Sequence, residues 1–343
     1  MATYMMMGNW SPCLRKLAGI ARTRMVPSRI FFSSSPPTMG TAKGATAVGF
    51  LGLGNMGLPM AINLAKKENV LAFDLNQQAM TTAEQGGVKL APSMEAIATE
   101  SSIIFTMLPG CDAVHSVLSA LVTHCGTNNT NKRITFVDCS TVSPTTSRHW
   151  HRTLHDKGYD LLDAPVSGGV KGAQNATLTF MVGGSSKEAL SIATPFLEQM
   201  GQRIIPCGGP GAGSATKLCN NLALATQMAG VCEAMTLGEA LGVDPVVLAS
   251  VMNTSTAKCW ASEVNNPHPA VAKATGSPAS NDYQGGFGTK LMLKDLNLAV
   301  DAGKTARVAL PIGNSTKELY QLADLHGLGH KDFGVLLQFL KGK

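Results

Sequence analysis

The chain has 343 residues, 44% of them hydrophobic and 15% charged, with 28 basic and 22 acidic side chains. That length holds about two domains with a sizeable core, and the composition excludes a disordered chain. Five of the six excess positive charges are Arg15, Lys16, Arg22, Arg24 and Arg29, all ahead of the first acid, Glu68; the remaining body is nearly neutral, which argues against nucleic acid or an anionic membrane as a partner.

Residues 1–40 are basic and acid-free. Trp10, Leu14, Leu17 and Ala21 fall on one helical face, and Ser33-Ser34-Ser35-Pro36-Pro37 closes the stretch. This is the pattern of an organelle transit peptide, with the mitochondrial matrix as the expected destination. No apolar run reaches the ~18 residues of a membrane-spanning helix. None of the eight cysteines forms a CxxC pair, and free, mostly buried thiols are expected.

Thr46 to Leu51 reads as a buried strand that runs into Gly52-Leu53-Gly54-Asn55-Met56-Gly57. A helix follows from Leu58, then a strand Val70–Phe73 ending at Asp74. Strand, GxGxxG turn, helix, strand and acid in that order make a dinucleotide site, with the pyrophosphate at the helix N-terminus. Asn55 and Met56 lie inside the turn. Asp74 suits the ribose hydroxyls and would repel a 2′-phosphate, so NAD is expected over NADP.

Further strands are expected at 102–107, ending at Leu108-Pro109, and at 133–137, ending near Thr141. Strand ends of a doubly wound sheet line the ligand crevice, which places Leu108, Pro109 and Thr141 beside the cofactor or makes them strand caps. Ser167-Gly168-Gly169 presents consecutive backbone N–H groups and a hydroxyl, either a concave carboxylate site or a plain turn. His149, His151 and His155 lack the neighbouring Glu of a zinc motif. They read as a solvated helix face, and no metal is expected. No histidine partners Ser167 as a hydrolase triad requires.

Strands stop after Gly208. A long helix is expected over 214–241, carrying Lys217 and Asn221 on one face near its start. A cation there opposes the helix dipole, which eases loss of its proton. Lys217 therefore reads as a proton-transfer group, or else as a solvated or ion-paired lysine. Residues 246–252 read as a short helix and 265–286, rich in Asn, Pro, Gly and Ser, as a long loop. Helical spacing returns at Phe287–Ala302, which holds Lys290, Lys294 and Asp295, then after Pro311 and in the last residues. The expected architecture is α/β: a Rossmann-type doubly wound sheet over 45–207 and an all-helical domain over 208–343.

Four motifs stand in order: Gly52–Gly57 with Asp74, Asp163–Gly169, Gly208–Asn221, and the helix with Lys294-Asp295-Leu296. Together they resemble the β-hydroxyacid dehydrogenase family over residues 46–340. The resemblance implies Lys217 as acid–base, Asn221 as its helper and substrate ligand, and Ser167, Gly168 and Gly169 as the substrate-carboxylate turn. It implies Lys294 as a lysine that closes over the site and touches cofactor. It also implies a small hydroxyacid substrate, 3-hydroxyisobutyrate foremost, and a homodimer or homotetramer built by the helical domain. Glyoxylate, succinic semialdehyde or tartronate semialdehyde as substrate, and a catalytically inactive NAD-responsive binding protein, are the alternatives. Two departures stand out: Gly110-Cys111-Asp112 replaces the usual small polar run, and Ala176 replaces a turn glycine whose φ is expected to be positive.

Overall fold

The computed structural model describes residues 47–127 and 133–342; the expected transit peptide lies outside them. Nine strands run β1 Ala47–Leu51, β2 Val70–Phe73, β3 Lys89–Leu90, β4 Ser101–Thr106, β5 Thr135–Asp138, β6 Asp160–Asp163, β7 Val166–Ser167, β8 Leu178–Gly183 and β9 Gly201–Gly208. They form one sheet in the order β3-β2-β1-β4-β5-β6-β8-β7, with β9 paired to β8. Pairing is parallel from β3 to β6 and antiparallel where β8 meets β6 and β7. The order of strand addition reverses at β1, with β2 and β3 on one side and β4 to β6 on the other, and leaves a crevice outside the strand ends there.

Strand alternation explains why the central strands are apolar throughout. Phe50, Phe105, Val137 and Leu162 face one layer of helices. Their neighbours Leu51, Ile104, Phe136 and Leu161 face the other. Both faces are covered, so both sets are buried. Past Gly208 the chain is helical. Its core is built from Met228, Cys232 and Met235 of the long helix with Met292, Leu296, Tyr320 and Phe333. No helix among the described residues is long and apolar enough to cross a membrane.

Three expectations need correction. Residues 265–286 are not one long loop, because Pro269–Thr275 is a helix with His268 as its N-cap. Its proline sits at the first helical position, where the missing N–H costs nothing. Of the seven described cysteines, all free, only Cys125, Cys139 and Cys232 are buried. The eight-residue β9 was not anticipated; it carries Pro206 on the sheet margin, where a ladder donor can be spared.

Ala176 has φ 55°, in the left-handed region. Its Cβ is strained there, and Ala176→Gly is expected to raise stability by about 1 kcal/mol, a melting increase of roughly 2 °C. Calorimetry showing a lower melting point would contradict this.

Candidate active site

The glycine turn has the geometry a dinucleotide needs. Gly52 has φ +95°, and a Cβ there would strike the Met107 carbonyl. A Cβ on Gly57 would overlap the Gly52 oxygen, whereas at Gly54 it would meet nothing within 4 Å. The first and third glycines thus permit the turn and the helix packing, while the second leaves an open backbone for a pyrophosphate. Asn55 and Met56 lie in the turn just before the helix that starts at Gly57. At the end of β2 the Asp74 carboxylate accepts from Leu53 N at 2.5 Å and Asn76 N at 2.7 Å. It is thereby fixed against the turn.

The neighbouring strand ends are tied into the same crevice. Thr106 Oγ1 donates to Asp138 Oδ1 at 2.8 Å, and that oxygen also accepts from Ser140 N at 3.1 Å. Leu108 N donates to Ser140 Oγ at 2.8 Å. Burial pushes the Asp138 carboxyl up to about 6, against the lowering effect of these hydrogen bonds. In the departure segment, Ser143 N donates to Cys111 Sγ at 3.5 Å, so the unusual cysteine holds the loop after Thr141.

Lys294 lies on the helix Thr289–Ala306 and reaches the sheet. Its Nζ donates to the carbonyl oxygens of Pro109, at 3.2 Å, and Thr141, at 3.3 Å. The same Nζ is 3.3 Å from Asp295 Oδ1. Asp295 is 2% exposed. Its other oxygen accepts from Asn221 Nδ2 at 2.6 Å. One connected set of bonds therefore joins two strand ends to the long helix.

Lys217 sits on that helix one turn before Asn221. It is 8% exposed and makes no hydrogen bond among the described residues. Its pKa is lowered, first by burial and further by the charge of Lys294, with the Asp295 carboxylate opposing. The helix dipole does not act on Lys217. The helix spans Ala212–Ala240, so Lys217 is its sixth residue, beyond the first turn where the dipole acts. The helix start is also occupied by a carboxylate. Asp163 Oδ1 accepts from Gly211 N at 2.9 Å and Oδ2 from Ser214 N at 2.8 Å. Asn221 bonds Asp295 rather than Lys217.

His151 is a second correction. It is 7% exposed, and its Nε2 lies 2.8 Å from Asp163 Oδ1. His149 and His155 are exposed as expected. No group of residues suited to a metal is found among the described residues. Asp163, His151 and Asp295 were not singled out from sequence as working residues, although Asp163 and Asp295 fall within motifs.

Ser167 ends β7, and Gly168 and Gly169 follow with φ 139° and 63° at the start of a short helix. Asn63 Nδ2 on the first helix donates to Ala173 O of that short helix at 2.7 Å. The turn is thus anchored to the glycine-turn helix. No hydrogen bond joins it to Lys217 among the described residues.

Comparison with known proteins accounts for nearly the whole body. The profile for the NAD binding domain of 6-phosphogluconate dehydrogenase matches residues 47–209. That for the NAD-binding of NADP-dependent 3-hydroxyisobutyrate dehydrogenase matches residues 211–340. The mitochondrial 3-hydroxyisobutyrate dehydrogenase of Drosophila melanogaster is 41% identical over 88% of this chain and 92% of its own. The human mitochondrial enzyme of that name is 38% identical over 97% and 94%. Among solved structures, a Mycobacterium tuberculosis 3-hydroxyisobutyrate dehydrogenase with L-serine is 40% identical, with a TM-score of 0.79 over 86% of this chain and 99% of that one.

Proposed function

The chain belongs to the 3-hydroxyisobutyrate dehydrogenase family, and on that footing we propose that it oxidises 3-hydroxyisobutyrate to methylmalonate semialdehyde with NAD, a step of valine breakdown, in the mitochondrial matrix. It is a mitochondrial oxidoreductase with a nicotinamide cofactor, as its relatives are. The observation that carries the mechanism is the buried Lys217, unbonded, beside an acid whose other contacts lead to the cofactor crevice.

Gly52, Gly54, Gly57 and Asp74 would hold the cofactor, with Leu108, Pro109 and Thr141 along the strand ends. A bound nicotinamide supplies the hydride acceptor. Ser167, Gly168 and Gly169 take the substrate carboxylate. Lys217 Nζ, neutral when poised, accepts the hydroxyl proton as the carbon is oxidised, and returns it to the carbonyl oxygen in reverse. Asp295 keeps the protonated form from being too costly. Lys294 holds the helical side against the sheet across the crevice.

The second profile's description names NADP, but both oxygens of Asp74 are committed to backbone N–H groups at the turn. Its fixed negative charge favours NAD. Asp74→Ser is expected to weaken NAD use and raise the NADP-to-NAD ratio of kcat/KM by about tenfold or more, the effect of ~1.4 kcal/mol; an unchanged ratio would remove Asp74 from cofactor choice. The substrate is tested by steady-state NADH formation with 3-hydroxyisobutyrate, L-serine and the hydroxyacids of the alternative semialdehydes. A flat response to all of them refutes the dehydrogenase reading. L-Serine shares the 3-hydroxycarboxylate unit and is the analogue to separate first.

The partner we infer is a second copy of the chain. Leu237, Leu241, Val246, Val247 and Val251 are each more than half exposed, around the end of the long helix and the helix Pro245–Thr254. Such apolar surface is usually covered in an assembly. Sedimentation as a monomer would rule this out.

A further inference from the structure

A cavity of about 570 Å³ opens beside the start of the long helix, lined in part by Thr145, Arg148, His151, Arg152, Ser185 and Pro210. None of the residues assigned above to cofactor, substrate or proton transfer lines it. The volume suits a small ligand.

Its charge is unbalanced. Arg148 and Arg152 lie one turn apart on the helix Pro144–His155, and neither guanidinium has an ion pair or hydrogen bond among the described residues. Like charges at that spacing repel. The helix C-terminus offsets this for Arg152, in the last turn, but not for Arg148. The acid in the wall, Asp156, lies 3.9 Å from His155 Nδ1. Farther in, buried His151 spends Nε2 on Asp163, and its Nδ1 has no protein partner among the described residues. The Ser185 hydroxyl is likewise unbonded there.

We propose that this cavity binds a phosphate-bearing anion and that its occupancy is felt by Lys217. Two guanidinium forks match phosphate oxygens bidentately, and the Ser185 hydroxyl supplies a further donor. The connection to the long helix is direct. Pro210 is part of the cavity wall, and a Cβ on Gly211 would lie 3.0 Å from Arg148 Cγ. Gly211 N and Ser214 N share the Asp163 carboxylate with His151. The same carboxylate fixes the helix that carries Lys217 two turns on. By reciprocity, substrate bound against Lys217 would alter anion affinity by the same factor.

The binding test is calorimetric titration of inorganic pyrophosphate into the full chain saturated with NAD, at fixed ionic strength. The expected result is one saturable site per chain. Arg148→Gln with Arg152→Gln should weaken it by about tenfold or more, since each lost bond to a charged group counts for ~1.5–3 kcal/mol, with NAD affinity and melting point unchanged. If that double variant fails to fold, Arg148→Lys with Arg152→Lys keeps the charge, removes the forks and should still weaken binding. No saturable binding, displacement by NAD, or equal affinity in the variants that fold would overturn the site. The kinetic arm rests on the dehydrogenase reading: pyrophosphate should change kcat or KM of the wild type by about twofold and leave the double variant unaffected. Binding without that change overturns the connection to Lys217. Absence of any dehydrogenase activity leaves the calorimetric result standing by itself.

Discussion

Lys217→Ala should lose about 10²–10⁴-fold in hydroxyacid oxidation while binding NAD normally. No hydrogen bond joins the lysine to the glycine turn among the described residues, so cofactor affinity measures folding and site integrity independently of turnover. The side chain is held away from water and its protonated form is disfavoured there. Removing it should therefore not destabilise the protein through lost bonds; Lys217→Met, which keeps most of the volume, is expected to melt at or above the wild-type temperature. The pH profile has a definite sign. Oxidation needs neutral Lys217, so its rate rises as pH passes upward through the lysine's pKa, and reduction falls over the same interval. Burial sets that pKa below the usual lysine value and Asp295 pulls it back up. Asp295→Asn should thus move the rise in oxidation to lower pH, while its amide oxygen can still accept from Asn221 Nδ2. Near-normal turnover in Lys217→Ala, or a shift to higher pH in Asp295→Asn, would refute the assignment.

Asp163→Ala should have the largest effect on stability. The carboxylate is 1% exposed and holds Gly211 N, Ser214 N and His151 Nε2 at 2.8–2.9 Å. Removing it leaves three buried polar groups unpaired, each costing ~1–3 kcal/mol before relaxation. A combined loss of about 3–5 kcal/mol is expected, a fall in melting temperature of roughly 10 °C. The two variants thus separate cleanly: Lys217→Ala is stable and inactive, Asp163→Ala unstable. A melting point within about 2 °C of wild type for Asp163→Ala, less than 1 kcal/mol, would show that the histidine and the helix start find other partners.

Much of this was legible in the chain because its signals are local. The glycine turn, its flanking strands and Asp74 fall within about thirty residues, and backbone sterics dictate their spacing. Lys217 and Asn221 share a face by helical period alone. The residues that sequence reasoning missed work at long range. His151 and Asp163 come from different elements, and Asp163 meets Gly211 and Ser214 from 48 and 51 positions away. Histidines on a polar helix look solvated until the strand beneath them supplies an acid. Asp295 stood next to Lys294 in a recognised motif, yet only packing shows that it faces both lysines and Asn221. The helix at Pro269 was hidden because proline and its polar neighbours mark a helix start as well as a loop.

The embedding of the long helix in the sheet bears on how the molecule comes apart. A Cβ on Gly213 would overlap the carbonyl oxygens of Met181 and Asp163, so the helix start lies against the ends of β6 and β8 with no room between. The described residues accordingly form one compact unit. The change from sheet to helices near Gly208 is a change of architecture but not a line of cleavage. Heat or denaturant should melt both parts in one transition, and a fragment ending at that glycine would carry an orphaned carboxylate and a bare strand end. Linkers, tags and chimaeric junctions belong elsewhere, on surfaces where no carboxylate spans the join.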